Sequence, residues 1–341
     1  MSVQRPSDHP PVKQRQTGLL LVNLGTPPSL EVSDIRAYLK EFLSDRRVID
    51  YSPWFWQPIL RGIILNVRPR KTREAYQKIW RQDSNESPLR YYTRVQAEKL
   101  AGRLAGTGVM VDWAMNYGVP SIREKLDLLT SSGCQQILIL PLYPQYSAST
   151  TGSVCDRAFD ALKALQWQPA IRTLDTWHDD PFYIDACIDH LRSCLGELSF
   201  KPETLILSFH GLPQRYLTQG DPYHCFCLKS ARLIAAGLDR PDIRIETTFQ
   251  SRFGPEKWLE PYTDKTIEAL AEQGTKRVAV FSPGFVSDCV ETLEELGIAL
   301  RETFLAAGGE DFAVLPCLND SEAAINMLEA LARRELAGWI A

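Results

Sequence analysis

No stretch of this 341-residue chain approaches the roughly 18 continuous apolar residues that span a bilayer. Even the run PILRGIIL at 58–65 is broken by Arg61. The first sixteen residues lack the apolar centre of a signal peptide and are polar and Pro-rich, so they read as a flexible tail. An excess of positive charge is also missing. Thirty-eight Lys and Arg stand against 42 Asp and Glu, a formal charge of −4, which offers no long-range attraction for nucleic acid. The eight cysteines (Cys134, Cys155, Cys187, Cys194, Cys225, Cys227, Cys289, Cys317) lack regular spacing, and without a secretory leader they read as reduced thiols rather than a disulfide framework. These absences point to a cytoplasmic protein, at most peripheral on a membrane.

What is present is the composition of a globular protein long enough for two domains, 44% hydrophobic and 23% charged. Four short apolar runs stand out: GLLLVNLG at 18–25, QILILPLY at 136–143, TLILSFHG at 204–211 and RVAVFSPGF at 277–285. Each ends in Gly, Pro or small polar residues and leads into a segment of helical periodicity, the pattern of a parallel sheet buried on both faces. The runs fall into two pairs, so the chain reads as one doubly wound α/β plan used twice. The expected division is 17–168 and 169–341, where Pro169 follows AFDALKALQW. In such folds ligands bind outside the carboxyl ends of the strands, at the crevice between halves.

Chemistry is therefore sought at strand ends. His210 closes TLILSF before Gly211 and Pro213, a position suited to a base or metal ligand near neutral pH, or to a histidine hydrogen-bonded into its own loop. After the last run, SDCVETLEEL at 287–296 predicts an α-helix. Val286, Val290, Leu293, Gly297 and Leu300 would share one face, with Asp288, Glu291 and Glu295 opposite. That acidic row fits either an ordinary wet face or a place where a dication relieves the repulsion. HCFC at 224–227 offers soft ligands without the second pair a structural zinc site normally has. Trp54, Phe55 and Trp56, with apolar residues to 67 and then Arg68, Arg70 and Lys71, read as an interfacial lip or as a core helix with a basic end.

Taken together, LLVNLGTP at 20–27, SPL at 87–89, MNYGVPSI at 115–122, LPLYPQYSASTTGS at 140–153, LSFHGLPQRY with GDPYHC at 207–225, TTFQSRFGPEKWLEP at 247–261 and SPGFVSDCVETLEELGI at 282–298 resemble the ferrochelatases. The resemblance runs from about residue 18 to about 305. It implies the chelatase fold, two Rossmann-like halves clasping a porphyrin, and a lyase that inserts Fe²⁺ as substrate into protoporphyrin IX in haem synthesis, or into coproporphyrin or another tetrapyrrole. It implies catalytic and metal-contacting roles for His210 and Glu291. It further implies a proton or metal path through Asp288 and Glu295, and porphyrin walls at Leu24, Tyr117, Tyr146 and Trp258. Arg46, Ser52 and the cations at 68–71 are candidates for the porphyrin's propionates. Cys289 stands where a common family pattern has a second His, so that residue's role is not carried over. Cys317 is the only cysteine after residue 300 and Ala148 replaces a family Cys, so a [2Fe–2S] cluster is not expected and no cofactor is required. A monomer or homodimer is expected, with peripheral membrane contact through residues 52–71.

Overall fold

A computed structural model describes residue 8 and residues 15–340. The expected tail thus lies largely outside the described residues, although Gln16 already begins the first strand. Two four-stranded, wholly parallel sheets share one plan. In the first, β1 (Gln16–Gly25) is flanked by β2 (Val109–Tyr117) and β3 (Cys134–Pro141), and β3 by β4 (Ala170–Thr173). In the second, β5 (Thr204–His210) is flanked by β6 (Arg244–Gln250) and β7 (Arg277–Phe281), and β7 by β8 (Asp311–Val314). The four apolar runs are the two central strands of each sheet. The repeat is therefore one of topology, and in both halves the strand order reverses beside the first strand, which opens a crevice at the carboxyl ends.

Alternation of side chains along the central strands builds the layers. Leu19 and Leu21 of β1 and Leu205 and Leu207 of β5 enter one core that draws residues from both halves, together with Leu138, Leu140 and Phe281. Leu20 and Val22 face the other way, onto the helices Ile122–Ser131 and Ser153–Lys163, and Ile206 does likewise onto Ile267 and Leu296. The division expected at residue 169 is displaced. Ala170–Thr173 pairs with β3, so the first sheet continues past Pro169, and the chain crosses between Thr173 and Pro181, where the helix Pro181–Glu197 starts. The halves are also clasped by the helix Glu322–Glu335, which lies on Pro88–Arg103. Arg103 there pairs with Glu322 and Glu329, and Lys99 with Asp320 at 2.5 Å.

Among the described residues, three segments are wound as π-helix: Leu60–Ile64, Ala148–Gly152 and Glu291–Leu300. They fall in the lip, in the SASTTG turn and on the acidic helix. Such i→i+5 winding is rare and frequents functional sites.

Candidate active site

His210 ends β5, and its Nδ1 lies 2.6 Å from the carbonyl oxygen of Gly211. A carbonyl oxygen only accepts, so Nδ1 carries a proton, and in the neutral imidazole Nε2 is the nitrogen with the lone pair. The loop is held close to its neighbour: the Gly211 N–H donates to the Gln250 carbonyl at 2.7 Å. A Cβ on Gly211 would stand 2.7 Å from that oxygen and 3.3 Å from Trp258 Cε3. Glycine is thus required by the approach of β6 and of the Trp258 ring, whose Nε1 donates to the Phe253 carbonyl at 2.8 Å. Phe285 closes another side, its ring 6.4 Å from the imidazole.

The acidic helix approaches the same place. Gln250, paired with His210 across β5 and β6, donates through Nε2 to the Glu291 carbonyl at 3.3 Å. Ser251 Oγ donates to Glu295 Oε2 at 2.5 Å. Burial raises the Glu295 pKa, which the nearby His210 opposes and Glu291 reinforces. Glu295 therefore responds to both His210 and Glu291. Glu291 and Leu24 line a common cavity with Tyr38, Tyr76, Ser87 and Cys289, of about 10 Å³, the scale of a single water. Burial pushes the Cys289 thiol well up, with Glu291 adding to the effect, so this position offers a neutral thiol.

Three sequence expectations are corrected. The segment 291–300 is not an α-helix. With wider turns its buried residues are Thr292, Leu296 and Leu300, and Val290, Leu293 and Gly297 remain partly accessible. Asp288 does not belong to an accessible acidic row. It is 4% exposed and accepts from Asn319 Nδ2 (2.6 Å), Thr292 Oγ1 (2.9 Å) and the Cys317 N–H (3.3 Å), and it borders a different cavity from Glu291. Tyr117 has no exposed surface. Its hydroxyl is held by Asp45 (2.9 Å) and Ser153 (3.0 Å) under the Phe42 ring, so it supports the wall from behind.

Tyr146 is half-buried beside Gly152, a Cβ on which would lie 3.2 Å from its hydroxyl. The SASTTG turn is tied to GDPY of the other half, where Asp221 accepts from Ser147 Oγ (2.9 Å) and the Ala148 N–H (2.8 Å). Tyr143, which sequence reasoning did not single out, packs against the cluster of Leu20 and Ile139. Its buried hydroxyl has no hydrogen-bond partner among the described residues, and its pKa is raised by burial first, with Tyr117 and Glu291 contributing. Its place after the carboxyl end of β3 was the signal. HCFC does not gather ligands: Cys227 is in the core, Cys225 is exposed and His224 lies against Phe249.

The segment 52–71 divides into a packed face and an exposed one. Trp56, Leu60 and Leu65 pack into the core with Ile35 and Leu39. Trp54, Phe55 and Val67 point outward, 93%, 62% and 70% exposed. Arg68 has no carboxylate within ion-pair distance among the described residues and lies 4.6 Å from the Phe253 ring centre. Burial lowers its pKa. Among the described residues, no helix is long and apolar enough to cross a membrane.

The family model described as Ferrochelatase matches residues 16–336. Proteins named Ferrochelatase from Allorhizobium ampelinum and Rhizobium meliloti are each 54% identical, over 98% of this chain and 98% and 99% of theirs. One from Brucella ovis is 51% identical over 97% of this chain and 95% of its own. Among solved structures, SirB from Bacillus subtilis with Fe³⁺ aligns over 95% of this chain and 97% of its own, with a TM-score of 0.57 and 11% identity, a likeness of fold. With the strand-end histidine and its acidic partner helix set in that fold, and relatives matching from end to end, this chain belongs to the ferrochelatase family.

Proposed function

We propose that the protein inserts Fe²⁺ into protoporphyrin IX, giving protohaem and two protons, as the closing step of haem synthesis. The observation that supports this reading is the strand-end imidazole of His210, held through Nδ1 by the Gly211 carbonyl and felt electrostatically by Glu295 of the acidic helix. Insertion must remove two pyrrole N–H protons and strip a hydrated dication. His210 Nε2 accepts a pyrrole proton, and Glu291 accepts the second or holds the ion as its water leaves. Glu295, whose raised pKa favours holding a proton, passes it outward. Trp258 and Leu24 hold the macrocycle, and bending it out of plane would tilt the nitrogens toward the metal at the expense of remote contacts. Arg68, a half-buried cation without a carboxylate partner among the described residues, suits a propionate. No resident cofactor enters the scheme.

The outward-facing Trp54, Phe55 and Val67 with nearby cations support a peripheral membrane contact from which a hydrophobic porphyrin is taken up. That contact favours protoporphyrin over the more acidic coproporphyrin. The test is anaerobic addition of Fe²⁺ with either porphyrin, followed through the Soret and visible bands. Protohaem formation at the higher kcat/KM supports the reading. A preference for coproporphyrin reassigns the substrate, and insertion of Co²⁺ into another tetrapyrrole alone overturns the iron chemistry.

A further inference from the structure

The network around Asp288 joins the two halves and ends at the acidic helix. Gln96, fully buried on the Pro88–Arg103 helix of the first half, donates through Nε2 to Ser287 Oγ (3.1 Å) and to the Asn319 carbonyl (2.6 Å). Asn319 follows β8 with φ +51°, a left-handed conformation that asparagine tolerates. Its N–H donates to the Val286 carbonyl at 2.8 Å. Its side-chain amide then closes a reciprocal pair with Asp288: Oδ1 accepts the Asp288 N–H at 2.8 Å and Nδ2 donates to Asp288 Oδ2 at 2.6 Å. Asp288 Oδ1 in turn holds Thr292 Oγ1 and the Cys317 N–H. Glu291 lies between two residues of this network, one position before Thr292.

Asp288, 4% exposed, thus uses three acceptor positions to fix the chain, at the edge of a cavity that it shares with Thr292, Leu293 and Arg301. We propose that Asn319 is a positioning residue for metal insertion, and that its amide pairing with Asp288, rather than the charge of Asp288, sets the first turn of the acidic helix and hence where Glu291 stands relative to His210. This rests on the chelatase reading above. Through Gln96 the same pairing keys the acidic helix to the first half of the molecule, which also grips it at Glu294 by Lys78 (2.7 Å).

Asn319→Gly tests it without backbone strain, since glycine accepts a positive φ. The expected result is a KM for Fe²⁺ raised about tenfold with the porphyrin KM within about twofold, a split that general destabilisation does not produce. Asp288→Asn sets two amide donors face to face, and Asn319→Asp sets two carboxylates face to face. The exchange of the two, Asp288→Asn with Asn319→Asp, restores a donor opposite an acceptor while removing the charge at 288. It should return the Fe²⁺ KM to within about threefold of wild type. Hydrogen exchange at the amides of residues 292–296, read by mass spectrometry, should speed up in each single variant and slow again in the double one. That readout does not depend on turnover, so it separates failure of this proposal from failure of the proposed reaction. A double variant no better than the worse single one, or unchanged exchange in Asn319→Gly, overturns the positioning role.

Discussion

The hydrogen bond from His210 Nδ1 to the Gly211 carbonyl decides what the residue offers, because with a proton on Nδ1 it is Nε2 that holds the lone pair in the neutral imidazole. The glycine that supplies that carbonyl is equally constrained. Gly211→Ala must move the Gln250 backbone or the Trp258 ring, and is expected to cost about 1–3 kcal/mol in denaturant unfolding and to lower turnover as well. Glu295 gives a pH-dependent test. Its folded-state pKa is raised, so its ionised form destabilises the fold increasingly as pH rises through that pKa, and below the ordinary glutamate range the effect vanishes. Glu295→Gln should therefore be more stable than wild type at neutral pH, with the gap closing toward pH ~4 in melts across that range. A gap independent of pH would contradict the assignment. At this scale His210 was legible from its place at the end of an apolar run, whereas the burial of Asp288 was not. Its partners Asn319 and Cys317 lie about thirty residues away in sequence, and no local pattern announces them.

Among the elements, the central strands β1, β3, β5 and β7 were readable because both their faces are covered and they are continuously apolar. The edge strands were not. Asp112 in β2, Arg172 in β4, Glu246 in β6 and Asp311 in β8 interrupt them, as half-solvated edges permit. The acidic helix misled for another reason: residues 291–300 carry α-helical periodicity, and nothing in it signals i→i+5 winding. The lip divides residue by residue, and that division is testable. Trp54→Ser with Phe55→Ser should weaken flotation with anionic vesicles by about tenfold or more while leaving stability within about 0.5 kcal/mol. Trp56→Ala, in the core with its Nε1 on the Leu43 carbonyl, should cost about 3–5 kcal/mol. Equal vesicle binding by the double variant would remove the membrane contact.

The whole molecule is two copies of one sheet plan sharing a core, with Leu19 and Leu138 of one half in the same cluster as Leu205 and Phe281 of the other. The helix Glu322–Glu335 returns to the first half, and Arg172 of β4 donates to the Ala337 carbonyl at 3.0 Å and lies 4.1 Å from the Trp339 ring centre. Thermal unfolding should accordingly be a single transition by calorimetry, and two resolved transitions would show independent halves. In this arrangement His210 stands at one sheet end, Glu291 and Glu295 lie on the helix that follows β7, and Leu24 of the other half lines a cavity with Glu291. In the proposed reaction His210 and the acidic helix perform proton removal during metal insertion. The most direct measurement compares wild type with His210→Ala for anaerobic Fe²⁺ insertion into protoporphyrin and, by fluorescence quenching, for porphyrin affinity. Insertion is expected to fall by at least about 10²–10⁴-fold with affinity changed less than about threefold. Near wild-type insertion by His210→Ala would contradict that role.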